Sequence, residues 1–170
     1  HPYAFSHILG LVNNINEEDS KSISMPPGVK EKGKTGIEER YDEKLRGVPG
    51  EREEELDAAG TILSQGILKP PAAGENITTT LRADLQETLW ANIDRFVSER
   101  GFRGGAGVIF SIEDGSILSI VSVPSFNINE LSKGLDVESA QKLFSDARAP
   151  LFNRAVSGTF APGSIIKPFI

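Results

Sequence analysis

The chain has 170 residues, 38% of them hydrophobic and 25% charged, with a net charge of −6; this is near the globular average, argues against disorder throughout and gives no electrostatic reason to expect nucleic acid as a partner. With no cysteine, disulfides and thiolate metal sites are excluded, and His1 and His7 alone leave little room for a histidine metal cluster or a Ser-His-Asp triad. No apolar run approaches the roughly 18 residues of a membrane helix, and no signal peptide is evident, so any export address is expected upstream of His1.

The first half reads as irregular and extended. "HPYAFSHILGLVNNINEED" has a short apolar centre, Ile8 to Val12, followed by Asn and acidic residues that suggest a turn. His7 in that run is expected to be a hydrogen-bonded packing residue rather than a ligand. "SMPPGVKEKGKTG" is rich in Pro, Gly and Lys and reads as loop. In "GIEERYDEKLRGVPG" the four-residue repeat of Ile37, Tyr41 and Leu45 predicts one short helix, stopped by Gly47 and Pro49. "GTILSQGILKPPAAGENITT" holds two β-prone pieces broken by Gly66 and by Pro70-Pro71, predicted as edge or connecting strands in the passage between two domains.

The second half is more regular. "LRADLQETLWANIDRFVSERG" predicts a helix with Leu85, Leu89, Ile93, Phe96 and Val97 in one apolar stripe, Trp90 beside it in the core and Gly101 as its terminator. "GAGVIFSIEDGSILSIVSV" predicts a hairpin turning at Asp114-Gly115, a favoured tight-turn pair; its nearly continuous apolar runs predict burial on both faces. Gly104 to Gly107 is not a phosphate loop, since no Lys follows and a strand, not a helix, comes next. "DVESAQKLFSD" predicts a further helix over 136–146. A helix over a buried hairpin opens an α+β sheet domain.

The final stretch, "PLFNRAVSGTFAPGSIIKP", carries the chemistry. After the Pro162-Gly163 turn, Ser164 is expected at a helix start, and Lys167, three residues on, shares its face. Penicillin-recognising serine acyltransferases combine S-x-x-K with S-x-N and K-T-G. There the serine attacks a carbonyl and the lysine takes or relays its proton. Short strings recur by chance, however: Ser139 to Lys142 is another S-x-x-K, on a polar helix. Lys34-Thr35-Gly36 sits in a charged loop and Ser125-Phe126-Asn127 at a strand end. All three are read as structural.

The longer context around Ser164 resembles the segment leading to the nucleophile in class B penicillin-binding proteins. "GKTGIEERYDEKLRGVPG" is similar to that family's pedestal signature, "HPYAFSHILGLVNNI" to the element before it, and "GAGVIFSIEDGSILSIVSVPSFNIN" to its first transpeptidase strands. These elements occur in family order along nearly the whole chain, and "LFSDARAPLFNRA" is more similar to the elongation type than to the septal type. The resemblance implies the C-terminal part of a mostly extended, β-rich pedestal domain at 1–76. It implies a β-lactamase-like transpeptidase domain starting at 77–170, within an overall α+β chain.

It further implies a membrane-anchored D,D-transpeptidase at the extracytoplasmic face, with Ser164 as nucleophile, Lys167 as general base and no cofactor. Its substrates would be peptidoglycan stem peptides, its inhibitors β-lactams, and its partners a membrane glycan polymerase and other elongation proteins. The family's own S-x-N and K-T-G are expected beyond Ile170, so these 170 residues alone are expected to be inactive. A pedestal or scaffold module is the alternative. One departure bears on structure. Arg82 stands where the family has an N-capping Asp, which leaves Thr80 as the expected substitute. Arg154 is expected to form a structural salt bridge or to orient a carboxylate near the nucleophile.

Overall fold

The computed structural model describes residues 1–17, 19, 28–161 and 167. The chain forms two units, one of Leu9–Thr79 and one of His1–Ile8 together with Thr80–Ile170.

In the unit Leu9–Thr79, β1 (Val12–Asn14) pairs antiparallel with β2 (Glu31–Gly33), Val12 opposite Gly33. The expected single helix is two: α2 (Gly36–Arg40) and α3 (Asp42–Arg46) meet at Tyr41, whose φ of −117° breaks the helical path. Asp42 explains the break, because its Oδ1 accepts from the Gly33 amide at 2.9 Å and its other oxygen pairs with Arg46. Gly33 has to be glycine here, since a Cβ would lie 2.0 Å from the Glu38 carbonyl oxygen. Gly47, at φ 70°, ends α3 as expected.

Beyond it the charged run forms a strand that hydrophobic patterning does not predict. β3 (Glu51–Leu56) pairs with β4 (Ile62–Lys69), which runs unbroken through Gly66. The two form an antiparallel ribbon exposed on both faces, with Leu63 63% and Ile67 74% accessible. Its tip is an Asx-type turn in which Asp57 Oδ1 accepts from the Ala59 and Thr61 amides, each at 2.8 Å.

In the other unit, α1 (Ser6–Leu9) is a single turn whose last residue begins the unit just described. α4 (Ala83–Arg100) packs on the antiparallel hairpin of β5 (Gly105–Phe110) and β6 (Ile117–Val123). Val97, Val121 and Val123 form the core, with Leu89, Trp90 and Ile93 against them. The helix comes close because β5 offers glycines: a Cβ on Gly107 would stand 2.6 Å from Ile93 Cδ1. α4 ends as predicted at Gly101, in the left-handed conformation at φ 67° and ψ 27°.

Four expectations fail in detail. Only β6 is buried on both faces near its end; β5 alternates, leaving Val108 and Phe110 exposed. The connection is not a tight Asp-Gly turn but the six-residue loop 111–116, in which Gly115 alone has positive φ. Phe96 is 53% exposed, while Gln86 is fully buried in its place on the stripe. Thr80 does not cap α4: its Oγ1 donates to the Ile117 carbonyl at 2.7 Å, and the cap position is Arg82, ion-paired with Asp84.

Gln86 is buried because every polar atom of its amide is used. Its Nε2 donates to Ala4 O (2.6 Å) and Ile120 O (2.8 Å), while Oε1 accepts from Ser119 Oγ and the Ile120 amide, both at 2.9 Å. The side chain thus pairs with Ile120 as a neighbouring strand would and ties the N-terminal residues to the sheet.

Candidate active site

β6 ends at a cis Val123–Pro124 peptide. Ser125 Oγ then accepts from Trp90 Nε1 at 2.9 Å, and Asn127 Oδ1 caps α5 (Ile128–Lys133) through the Asn129 amide at 3.1 Å. That S-x-N string is therefore structural, and so are the other two. Asp136 caps α6 (Val137–Ser145) by accepting from the Ser139 amide at 2.9 Å and from its hydroxyl at 2.8 Å, which accounts for the second S-x-x-K. In Lys34-Thr35-Gly36, Thr35 Oγ1 accepts from the Leu11 amide at 3.0 Å and Lys34 pairs with Asp19. The Lys34 ammonium, first, and the Asn16 and Lys32 hydrogen bonds lower the Asp19 carboxyl to about 2.

The segment 146–153 leads into α7 (Arg154–Ser157), the last helix before the S-x-x-K. It is irregular, with Ala149 at φ 48°, yet its carbonyls have partners. Arg154 holds three of them: Nη1 donates to Ala149 O (3.1 Å) and Phe152 O (3.3 Å), and Nη2 donates to Arg148 O. His7 Nε2 lies 2.9 Å from Pro150 O, and Asn153 Nδ2 donates to His7 O at 3.4 Å. Ser122 Oγ donates to Phe152 O at 3.2 Å and accepts from the Arg154 amide at 2.9 Å.

This corrects the reading of Arg154. The guanidinium makes no ion pair among the described residues but holds backbone carbonyls; burial, then the charge of Arg103, lowers its pKa. Gly104 makes room for it, because a Cβ there would lie 2.5 Å from Arg154 Nε and from Val123 O. His7 is the hydrogen-bonded packing residue expected, edge-on to Phe126 with ring centroids 5.2 Å apart. Burial is the main cause that lowers its pKa from 6.5. The roles of Ser122, Gly104 and Gln86 were not legible in any motif; a glutamine at helical spacing among Leu89, Trp90, Ile93 and Val97 was the one available signal.

Of the two expected site residues, Lys167 is exposed and Ser164 lies outside the described residues. Lys34 is ion-paired with Asp19, and Lys142 lies in the last turn of α6. Among the described residues no cluster of His, Asp and Glu could hold a metal ion, and no helix is long and apolar enough to cross a membrane.

Residues 1–79 match the family described as "Penicillin-binding Protein dimerisation domain" and residues 105–170 the "Penicillin binding protein transpeptidase domain". The chain belongs to the penicillin-binding proteins, with a dimerisation domain followed by the start of a transpeptidase domain in an α+β arrangement.

Among its relatives are proteins named peptidoglycan D,D-transpeptidase MrdA. That of Acinetobacter baumannii is 36% identical over 172 residues, covering 99% of this chain and 24% of that protein. That of Salmonella typhimurium is 36% identical over 181 residues, covering 100% of this chain and 27% of that protein. The chain thus spans about a quarter of the length of these relatives.

Similar solved structures include Pseudomonas aeruginosa PBP2 in complex with WCK 5153, with a TM-score of 0.75, 29% identity and coverage of 98% of this chain and 32% of that one. Another is the complex between PBP2 and MreC from Helicobacter pylori, with a TM-score of 0.76, 27% identity and coverage of 98% and 30%.

Proposed function

We propose that the protein to which this chain belongs cross-links peptidoglycan as a serine D,D-transpeptidase of cell-wall elongation, outside the cytoplasmic membrane, and that β-lactams inhibit it. Residues 1–76 would form part of the pedestal and 77–170 the opening of the catalytic domain. The observation that carries this reading is the S-x-x-K of Ser164 and Lys167 inside the stretch matching the transpeptidase domain, seven residues after an anchored α7. The other three short motif strings in the chain have structural duties instead.

In this reading Ser164 Oγ attacks the carbonyl carbon of the penultimate D-Ala of a stem peptide, and Lys167 Nζ takes the hydroxyl proton. The C–N bond to the terminal D-Ala breaks, the departing amine takes a proton, and an ester to Ser164 remains. An amine of a second stem attacks that ester, the acyl C–O bond to Ser164 breaks as the amide cross-link forms, and a proton from the amine restores the Ser164 hydroxyl. A β-lactam acylates the same oxygen by opening its ring amide. The lysine must be partly neutral to act as base, which enclosure by the rest of the domain would favour.

A second reading has its own observation. The β3–β4 ribbon exposes Leu56, Ile62, Leu63, Ile67 and Leu68, and the similar H. pylori PBP2 was solved with MreC. The unit Leu9–Thr79 would then dock elongation partners, including the membrane glycan polymerase, whether or not these 170 residues are active alone. Labelling with a fluorescent penicillin separates the two readings. The full-length protein should label once and Ser164→Ala should not; normal labelling of Ser164→Ala would overturn the nucleophile assignment. The 170-residue chain alone should not label, and stoichiometric labelling of it would overturn the scaffold-only view.

A further inference from the structure

The stretch 148–154 has only turn-type backbone bonds of its own, and four of its carbonyls are held by side chains, that of Arg154 from within it and those of His7 and Ser122 from distant parts of the sequence. Arg154 takes Arg148 O, Ala149 O and Phe152 O, while His7, 143 residues from Pro150, lies on Pro150 O. Ser122 spends both its proton and a lone pair, donating to Phe152 O and accepting from the Arg154 amide, and so fixes the first residue of α7 to β6. Gly104 leaves the space the guanidinium fills. Ala149, at φ 48°, occupies a conformation that L-residues rarely adopt and that persists only where the surroundings enforce it.

Side chains tie irregular backbone in this way when its exact path matters, and here the path ends at α7, seven residues before Ser164. Acyl transfer is sensitive to sub-ångström placement of the attacking oxygen. We propose that His7, Ser122 and Arg154 are positioning residues for acylation: by clamping the carbonyls of 148–152 onto β6, they set where the chain leaves the sheet on its way to Ser164. The proposal rests on the transpeptidase reading. It assigns none of the three a contact with substrate.

The test uses the full-length protein and the variants His7→Leu, His7→Gln and Ser122→Ala. For each, the saturating rate and the half-saturating concentration of fluorescent-penicillin acylation are measured, with amide exchange at 154–158. His7→Leu keeps bulk but cannot donate to Pro150 O, whereas the Gln amide nitrogen can reach it. The expected result is a loss of about tenfold or more in saturating rate for His7→Leu and Ser122→Ala, with the half-saturating concentration within about twofold. Exchange at 154–158 should quicken, and His7→Gln should recover to within about threefold of the unsubstituted protein.

An unchanged rate in both His7→Leu and Ser122→Ala overturns the proposal, as does a His7→Gln defect equal to that of His7→Leu. Should His7→Leu fail to fold, Ser122→Ala decides, since it removes only a hydroxyl. If the unsubstituted protein takes no label while His7→Leu still quickens exchange at 154–158, the transpeptidase reading is overturned and the clamp itself is supported.

Discussion

Replacing Gln86 by leucine should be among the most damaging single changes in the unit that carries Ser164. The side chain is fully buried and makes four hydrogen bonds, two to the backbone of Ile120 and one each to Ala4 O and Ser119 Oγ. Leucine would strand two donors and two acceptors in the interior. At about 1 kcal/mol for each bond lost the cost is about 4 kcal/mol; greater apolar burial returns about 1 kcal/mol, leaving a net loss of about 3 kcal/mol. Urea unfolding followed by the fluorescence of Trp90, the only tryptophan, reads this unit selectively. With a slope of about 1–2 kcal/mol per M, the midpoint should fall by about 1.5–3 M.

Ser119→Ala, which removes one of the four bonds, should cost about 1 kcal/mol. Gln86→Glu should be worse than leucine at neutral pH and recover in acid, because an ionised carboxylate would face the Ala4 and Ile120 carbonyls. A Gln86→Leu loss below about 1 kcal/mol would refute the reasoning, for it would mean that water or rearrangement satisfies these groups as well as the amide does.

Other expectations follow the same physics. The Asp19 carboxyl is held at about 2 against an ordinary 3.8, so its ion pair stabilises Leu9–Thr79 fully above pH 3.8 and is lost as pH falls towards 2; Asp19→Asn should flatten that part of the acid melting curve, followed by circular dichroism. The His7 pKa lies below 6.5 through burial and, to a lesser extent, the Arg154 charge. Its contribution is therefore complete above pH 6.5 and declines as pH falls below it, a dependence His7→Gln should remove from Trp90-detected unfolding. Gly33→Ala would put a methyl 2.0 Å from the Glu38 oxygen and should destabilise by several kcal/mol, about 3 or more. Gly66→Ala, where nothing lies within 4 Å, should change thermal stability by less than about 1 kcal/mol. Thermal melting of the two glycine variants side by side tests both.

The elements legible in the sequence were those whose signal is local. α4 showed its stripe and its Gly101 terminator, α6 its run within 136–146, and the hairpin its two apolar runs. β3 was hidden because "EREEEL" is exposed throughout, so burial imposes no alternation on it and its charges read as a solvated run. The split at Tyr41 was hidden because its cause is Asp42 reaching the Gly33 amide, nine residues away.

At the candidate site, the family could be read from the ordered elements along the chain, and Ser164 and Lys167 were expected from the S-x-x-K among them, whereas the supports of the preceding loop could not be read. Arg154 looked like half of an ion pair because arginine usually seeks carboxylates. Here its fork meets a loop whose carbonyls would otherwise lack donors, a demand that exists only once 148–153 is bent back on itself.

The unit holding α7 is discontinuous, and this has a consequence for how the protein is made. Residues 1–8 leave the ribosome ahead of Leu9–Thr79, but the partners of Ala4 and His7 lie 82 and 143 residues further on. Leu9–Thr79 can close its own sheet pairs meanwhile, so the opening octapeptide must wait as an unsatisfied tether while its neighbour folds. Contacts of such long sequence separation form late and slowly. Completion of the unit that holds α7 is thereby deferred until the 148–154 loop has emerged, and a stall in translation before that point would leave Leu9–Thr79 folded beside a unit still open.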